Sequence, residues 1–594
     1  MKLKLNKTML SLLLIVTLAI ILRTIVTYSL DPGVDELIYS VMGLDFISSG
    51  QLSTLSQSPL YFYTLDIIYR FFGLQIWTMR LLNIILGSLT ALLLYLIGKE
   101  LFNDKKKALL ASFLFAISSY ALIYNVEMNT TSIFFALLSL LFFTKGIHSK
   151  KENYFYASAV FLGIGYLFKE IAILLLPAYI IYYFFDHFYL SEKEKRSSKL
   201  QLLKVAGISL LILFLFFLPV LTHNYLAYTQ KGVVDQRFSK YLRLDLDVYK
   251  NLGSRTTAEF DFTRFSGTAK SIFVGFLKEP TFLLLLFLFF GLIVKSIRDQ
   301  IFKDGGKIFL LTLCIAVPWV FYSYGDGGRT HNLLMVPFFA LLSAYSLITI
   351  KEKYLEKCVK NQKTAKQVSI GAILLLTVIT IMLIYKPLSE ETPGIELMKY
   401  AETIPPDAIT LIDPRIYNAP IALAFSEKHY VEGSQLNSFF EAIQNAPGKR
   451  IEAPYYYIEC AWDKACGWKQ EDHDRVAAIG KEATKVLTEK TNLDHEIYLG
   501  NEVMFRIHKG ILQIPPAIYP SIDQSHYIFY YPIGWKNKSL IYDGYTPKTF
   551  FEHIIYNISR AVLHLAFVLA LLGIAVLFYL LKEKPENKVL NQNT

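Results

Sequence analysis

The sequence predicts an α-helical polytopic membrane protein that crosses the bilayer about twelve times and carries an α/β-like domain outside it. Three observations predict this class. The 594-residue chain is 53% apolar and only 18% charged, whereas soluble chains are about 25% charged. Its apolar residues form runs of roughly 17–25 residues, which is the length that a membrane span needs. Short Lys-rich breaks separate these runs, and one long polar stretch interrupts them near the C-terminus.

Twelve apolar runs are the predicted spans. They lie near 8–28, 76–98, 107–124, 130–145, 154–168, 170–186, 203–224, 271–294, 307–323, 332–350, 367–386 and 556–581. The first follows three lysines, as a signal peptide would, but it is too long for a signal-peptide core and no small-residue cleavage site follows it. We therefore expect this run to be retained as the first span.

Basic residues predict the orientation of the spans. Lys and Arg are concentrated in alternate loops, for example at Lys105, Lys150, Arg196, Arg298 and Lys353, and such loops face the cytoplasm. Both termini fall on this cytoplasmic side of a cell (plasma) membrane. These loops also explain the net charge of +11. No nucleic-acid partner is expected, because the sequence has neither a basic-aromatic groove motif nor zinc-finger spacing.

Three parts are expected along the chain. Residues 1–386 form a transmembrane domain with outer loops at 29–75 and 225–270. Residues 387–555 form a soluble domain outside the membrane, and residues 556–594 supply the last span and a cytoplasmic tail. Strand-like and helix-like patterns interleave between 387 and 555, which predicts an α/β-like domain.

Two cysteines lie close together in the outer domain. Cys460 and Cys466 are candidates for a disulfide, because the outside of a cell is oxidising. Two free thiols are the alternative. A metal site is less expected, because no second Cys or His pair lies at ligand spacing.

Carboxylates mark the outer membrane surface at two places. Asp35 and Glu36 follow the first span, and crowded, partly desolvated carboxylates have raised pKa values and can act as bases. The alternative is that Asp35 caps a helix and Glu36 complements its dipole. Glu127 lies in a short outer turn, where its alternative role is an ordinary solvated charge.

Basic residues occupy two further outer turns. Lys169 and Glu170 join two spans and could simply pair with each other at the interface. Arg329 and His331 follow a Gly-rich turn, on the side where positive charge is disfavoured. Arginine is suited to bidentate phosphate binding. Acidic and basic clusters on one membrane face together predict an acidic lipid head group as substrate.

At this point the sequence resembles the GT-C glycosyltransferases, specifically glycosyltransferase family 39, which includes the protein O-mannosyltransferases and the lipid A aminoarabinose transferases. The resemblance extends from about residue 8 to 350. It is carried by short motifs in a fixed order: Asp35-Glu36, Ser58-Pro59-Leu60-Tyr61-Phe62, Arg80-Leu81-Leu82-Asn83, Leu94–Phe102, Glu127, Phe168-Lys169 with Leu174–Pro177, and Arg329-Thr330-His331 before Leu333–Pro337.

The resemblance implies a GT-C-type fold and an activity. A sugar would move from a polyprenyl- or dolichyl-phosphate donor to a protein, lipid or glycan acceptor on the non-cytoplasmic face. The first acidic motif would carry the catalytic base, and Lys169, Arg329 and His331 would bind the donor phosphate. The sequence requires no cofactor, although a divalent cation is compatible with it. Relatives often have Lys where this chain has Gln57, and the outer domain lacks features typical of protein O-mannosyltransferases.

Two other functions are considered. A secondary transporter would place ionisable residues within its spans and show repeated, broken helices. In this chain those residues cluster at the ends of spans, and no repeat is visible. A non-catalytic membrane scaffold with an outer binding domain is the second alternative.

Overall fold

A computed structural model describes most of the chain. The described residues are 7–32, 36, 39–40, 42–44, 46–54, 58–190, 198–235, 238–239, 262–324, 329–355, 362–413, 415–416, 428–431, 436–461, 485, 487, 489, 491–519 and 547–582. Together they form a helical bundle and one small mixed sheet.

Helices dominate both halves of the chain. In chain order they are α1 (Lys7–Ser29), α2 (Leu60–Phe72), α3 (Ile76–Phe102), α4 (Lys105–Ala116), α5 (Ser119–Ile123), α6 (Asn129–Ser149), α7 (Glu152–Phe168), α8 (Leu175–Phe185), α9 (Lys199–Lys231), α10 (Phe262–Phe276), α11 (Pro280–Ile293), α12 (Lys295–Lys303), α13 (Gly305–Tyr324), α14 (Val336–Ile350), α15 (Gln362–Leu388), α16 (Pro393–Thr403), α17 (Leu436–Asn445) and α18 (Phe550–Leu581). Short 3₁₀ turns at Tyr124–Val126, Glu170–Leu174 and Arg329–Met335 connect some of them.

All twelve predicted spans coincide with helices or helix pairs. Within the described ranges, eight helical segments are long and apolar enough to cross a membrane, and two bent helix pairs raise the number to ten. The remaining two predicted spans fall on α7 and α15. Helix α7 has 17 residues, which is near the lower limit for crossing a bilayer.

Two of the predicted spans are bent rather than continuous. The pair α4 and α5 bends by 51°, and the pair α10 and α11 bends by 102°. Both breaks meet at the buried carboxylate of Glu279, which accepts hydrogen bonds from the Ser119 hydroxyl and the Tyr120 amide, each at 2.9 Å. Pro280 begins α11, where its missing amide proton is tolerated. The apolar runs at 107–124 and 271–294 are continuous in the sequence, so they predicted unbroken spans. Apolar composition alone does not indicate a bend.

The Lys-rich loops lie at one end of the helical bundle, where ion pairs connect them. The ion pairs join Lys106 to Glu352, His148 and Lys145 to Glu100, Lys150 to Asp186, and Lys204 to Glu152. Loops far apart in sequence therefore share this end, as the charge pattern predicts. Which compartment the end faces stays a prediction.

A five-stranded mixed sheet forms the core of the region between α15 and α18. Its strands are β1 (Ile409–Ile412), β2 (His429–Val431), β3 (Ile451–Cys460), β4 (Asn492–Leu499) and β5 (Glu502–Ile514). Their order is β2-β1-β3-β5-β4. The β1 pairings are parallel, whereas β5 is antiparallel to both of its neighbours. Helices α16 and α17 bury apolar residues beside this sheet, so the α/β-like prediction holds.

The last helix, α18, packs against the bundle and contacts the segment between α1 and α3. It begins at Phe550 with a capping box formed by Thr549 and Glu552, ahead of the apolar run predicted from 556. The Tyr556 hydroxyl donates to the Gly50 carbonyl at 2.7 Å. The Tyr63 hydroxyl lies 2.6 Å from His564 Nδ1. Both the 46–54 segment and α2 are thus tied to this final span.

Candidate active site

A buried ion pair holds the acidic motif that follows α1. Arg80 Nε and Nη2 donate to the two carboxylate oxygens of Glu36 at 2.5 and 2.9 Å. The side chains are 0% and 5% exposed, respectively. Arg80 Nη1 also donates to the backbone carbonyls of Thr27 and Leu30. A bidentate guanidinium–carboxylate pair fixes orientation as well as charge, so the chain leaves α1 in one defined direction.

Tyr61 connects this pair to the second acidic motif. Burial raises the pKa of the Tyr61 phenol, and the negative charges of Glu36 and Glu127 raise it further, while Asn83 and Arg80 oppose the shift. The Asn83 side-chain amide donates to the Val126 carbonyl at 2.8 Å, which fixes the turn just before Glu127. The same amide lies 3.4 Å from the Tyr61 hydroxyl, so Asn83 joins the Tyr61 phenol to the segment that carries the half-buried Glu127.

Lys169 lies against both acidic segments. Its ammonium is 5.4 Å from the centroid of the ring of Tyr39, which is three residues after Glu36 in the sequence. It is also 3.6 Å from the sulfur of Met128, the residue after Glu127. The residue is only 2% exposed. The backbone carbonyl of Lys169 accepts a hydrogen bond from the Ser132 hydroxyl at 2.9 Å. This bond holds the turn against α6.

The late basic motif lies next to the lysine turn. The Arg329–Met335 turn contacts the Glu170–Leu174 turn, α6 and α13. The His331 ring stacks on Tyr322 of α13, with centroids 5.8 Å apart and planes inclined by 19°. The backbone of Arg329 belongs to this turn. Both basic motifs therefore reach the same part of the bundle, as predicted.

Two predicted residues lie outside the described part of the chain. Asp35 is one of them, although its neighbour Glu36 is placed. Cys466 is the other; Cys460, at the end of β3, is disulfide-bonded, and its pairing with Cys466 stays a prediction. The described candidates Glu36, Glu127, Lys169 and His331 converge, and the catalytic and phosphate-binding roles assigned to them remain predictions.

Three aromatic and basic side chains of this cluster had no role in the sequence interpretation. In the sequence, Arg80 and Tyr61 belong only to motifs that carry the family resemblance, and Tyr39 has no predicted role. An arginine inside an otherwise apolar run is a useful signal, because such residues are costly in a membrane unless they are paired. Arg80 lies five residues into α3, so that signal was available. The sequence did not identify Glu36 as the partner of Arg80, because the two residues are 44 positions apart.

The cluster combines carboxylates that can accept a proton with cationic side chains that can bind an anion. Carboxylates at one edge can accept a proton, and cations at the neighbouring edge can stabilise negative charge in a water-poor environment. Among the described residues, no three His, Cys, Asp or Glu side chains converge as a metal site would require.

Sequence comparisons match part of the chain. Residues 56–223 match the sequence profile of the family described as dolichyl-phosphate-mannose-protein mannosyltransferase. An uncharacterized protein of Aquifex aeolicus (strain VF5) is 26% identical over 161 residues, which cover 25% of this chain. The match spans 32% of that relative's length.

Structural comparisons match nearly the whole fold. ArnT from Cupriavidus metallidurans, in a crystal structure bound to undecaprenyl phosphate, has a TM-score of 0.56 at 12% identity; the match covers 84% of this chain and 97% of that one. An oligosaccharyltransferase of Archaeoglobus fulgidus, in complex with Zn and sulfate, has a TM-score of 0.50 at 14% identity, with 87% and 76% covered. The predicted class is therefore confirmed: the chain is a multi-pass membrane protein with the GT-C glycosyltransferase fold.

Proposed function

We propose that this chain is a membrane glycosyltransferase that moves a sugar from a polyprenyl-phosphate-linked donor to a protein, lipid or glycan acceptor. The GT-C fold and the mannosyltransferase profile over residues 56–223 support the reaction class. The observation that carries the proposal is the convergence of acidic and basic motifs at one place. Glu36, Glu127, Lys169 and His331 lie on four separate segments, and Tyr39, Tyr61 and the touching turns link them.

A single displacement at the anomeric carbon fits this arrangement. The acceptor hydroxyl attacks, its proton passes to the carboxylate of Asp35, and the bond between the sugar and the carrier phosphate breaks. Asp35 precedes Glu36 in the sequence, and Arg80 fixes the position of Glu36, which supports the choice of Asp35 as the base. Because Arg80 compensates the charge of Glu36, the half-buried Glu127 is the better candidate for raising the basicity of Asp35.

The departing phosphate gains negative charge and needs cations rather than a proton. Lys169 is buried beside both acidic segments, and His331 reaches the same region on the adjoining turn. Arg329 belongs to that turn and would complete the phosphate site. Preorganised cations in a site poor in water stabilise developing charge more strongly than solvent does. The Cupriavidus protein was crystallised with undecaprenyl phosphate, a carrier of the class that we propose for this chain.

The reaction is proposed to occur on the non-cytoplasmic face of the plasma membrane. The ion-paired Lys-rich loops occupy the opposite end of the bundle from the site, and such loops face the cytoplasm. Both termini would then be cytoplasmic, with residues 1–386 as the catalytic transmembrane domain, 387–555 outside and 556–594 as the final span and tail.

Mass spectrometry of membranes from cells with and without this protein tests the function. We expect a sugar-modified acceptor only in cells that contain the protein, and accumulation of the lipid-phosphate sugar in cells that lack it. Cells carrying Lys169→Gln should resemble the deletion, whereas the variant Glu441→Gln, at an exposed position on α17, should resemble wild type. Unchanged lipids and glycans, together with altered uptake of a solute, would instead indicate a transporter.

A further inference from the structure

The region between α15 and α18, called the outer region because it is predicted to lie outside the membrane, contacts the segment that follows α1. The contact is a helix cap in which Asp31 binds the N-terminus of α16. The Asp31 carboxylate accepts hydrogen bonds from the backbone amides of Gly394 at 3.1 Å and Ile395 at 2.9 Å. These are the first free amides of α16. The residue at the usual capping position, Thr392, makes no side-chain cap. Asp31 therefore takes over the role of the cap, and its charge complements the helix dipole.

The close approach depends on the absence of a side chain at position 394. A Cβ atom there would lie 2.9 Å from both carboxylate oxygens of Asp31, which is too short for a relaxed contact. Gly394 has an ordinary helical backbone, so the backbone conformation itself does not require glycine at this position. The glycine is instead explained by the space that Asp31 occupies.

Helix α16 packs against the sheet. Leu397, Met398 and Ala401 are buried on its inner side. The Tyr400 ring stacks on His495 of β4, with centroids 5.0 Å apart, and the Tyr400 hydroxyl donates to Asp494. The amides that hold Asp31 therefore belong to a helix that is in direct contact with β4.

On its other side, Asp31 is joined to the buried ion pair. The carbonyl of Leu30, the preceding residue, accepts from Arg80 Nη1 at 3.0 Å. Arg80 in turn holds Glu36 through both carboxylate oxygens. A continuous path of hydrogen bonds and covalent bonds thus runs from α16 through Asp31, Leu30 and Arg80 to Glu36.

We propose that Asp31 is a positioning residue through which the outer region sets the geometry of the acidic motif. The inference rests on the proposed glycosyl transfer, because the motif that it positions is the acidic side of that site. Asp31 acts through its hydrogen bonds to α16 rather than as a catalytic group. It fixes one end of the segment that leads to Glu36, while Arg80 fixes the other, so docking of α16 aligns the motif for the reaction. Energetic coupling of this kind needs a continuous physical path, and the contacts above supply one.

Four variants separate this role from a general effect on folding. Asp31→Ala removes the cap, whereas Asp31→Asn keeps a capping oxygen. Gly394→Ala introduces the Cβ that collides with Asp31; it has a matched control in Gly371→Ala, because a Cβ at Gly371 meets nothing within 4 Å. Ordinarily Gly→Ala stabilises a helix, so a loss of function at position 394 alone would point to the contact with Asp31.

Two measurements are made on each purified full-length variant in nanodiscs. The first is the rate of sugar transfer from a polyprenyl-phosphate sugar, separated into kcat and the KM for the donor. The second is hydrogen–deuterium exchange of the 30–46 segment, which reports order in the acidic motif without requiring activity. For Asp31→Ala and Gly394→Ala we expect kcat to fall on the order of tenfold, because a misplaced acidic motif would raise the activation barrier; tenfold corresponds to about 1.4 kcal/mol. The KM should be unchanged and exchange faster, while Asp31→Asn and Gly371→Ala stay close to wild type.

A cysteine pair tests the contact itself. With Asp31→Cys and Gly394→Cys combined, a Cβ at position 394 lies 3.1 Å from the Cγ position of residue 31, which suits a disulfide. We expect peptide mass spectrometry to find the cross-link; its absence would overturn the contact. Wild-type kcat and exchange in both Asp31→Ala and Gly394→Ala would overturn the positioning role. If exchange changes as expected but even wild type transfers no sugar, the positioning role stands and the proposed function fails.

Discussion

Arg80 and Glu36 form a buried, doubly hydrogen-bonded ion pair across 44 residues of sequence, with N–O distances of 2.5 and 2.9 Å. Helix α3 thereby holds the segment that follows α1. Because both side chains are almost fully buried, water cannot solvate either charge if its partner is removed.

Removing one partner of this pair should be costly. Arg80→Met would leave Glu36 as an uncompensated buried charge, a change that lowers the free energy of unfolding by roughly 3–5 kcal/mol. The combined variant Arg80→Met with Glu36→Gln should recover part of the loss, because no isolated charge remains. Thermal unfolding in detergent measures both. Wild-type stability of Arg80→Met would contradict the pair.

Gly87 should not tolerate a methyl group. A Cβ at this position would lie 2.2 Å from Asn125 Oδ1 and 2.9 Å from Arg23 Nε, in a region where α1, α3 and the turn before Glu127 meet. Overpacking of this kind costs about 1–3 kcal/mol, so Gly87→Ala should unfold at a lower temperature. Gly207→Ala in α9 is the control, because a Cβ there has no neighbour within 4 Å. Equal unfolding temperatures for the two variants would show that the contact is looser than described.

Arg329 should act on donor binding. If it holds the carrier phosphate, Arg329→Lys should be tolerated poorly, because lysine lacks the planar fork that binds two phosphate oxygens. We expect a higher KM for the lipid-phosphate sugar in Arg329→Lys and a larger increase in Arg329→Ala, measured in nanodiscs at fixed acceptor concentration. Transfer at the wild-type rate by Arg329→Ala would make Arg329 an ordinary interfacial anchor.

Three of the four cysteines report sidedness, because Cys358 lies in a loop predicted to be cytoplasmic and Cys460 and Cys466 lie in the domain predicted to be outside. An impermeant thiol reagent applied to intact cells should miss Cys358 and should label Cys460 and Cys466 only after reduction. Permeabilised cells serve as the control, in which Cys358 becomes reactive. Labelling of Cys358 in intact cells would reverse the topology and with it the proposed location of the reaction.

Much of the membrane architecture was predictable because it depends on local composition. Each of the twelve apolar runs coincides with a helix or a helix pair, and the loop charges predicted which loops share an end of the bundle. The bends at Glu279 and Ser118 were not predicted, although Pro280 marks the first as a place where a helix begins. The length of an apolar run predicts where a span lies, but it does not predict a bend. The bends in this fold depend on hydrogen bonds to Glu279 from a segment that is distant in sequence.

The site was only partly predictable for the same reason. Motif order and sidedness brought Glu36, Glu127, Lys169 and His331 to one face, and the structure places them together. The partners that fix them were not visible. Arg80 binds Glu36 from another helix, and Asp31 caps a helix 363 residues away. Pairings at such separations leave no periodic signal in a single sequence.

The central claim, that the acidic motif carries a general base, is tested most directly by Asp35→Asn. The measurement is the rate of sugar transfer per folded molecule, with Glu441→Gln at an exposed position on α17 as the control. Asparagine keeps the size and capping ability of aspartate but removes the base, and general-base catalysis contributes roughly 10²–10⁴-fold. A helix-cap defect alone would cost about 0.5–2 kcal/mol of stability and would appear as a lower protein yield. We predict a loss of at least about a hundredfold with normal membrane insertion; a rate close to that of wild type would contradict the account and leave Asp35 as a helix cap.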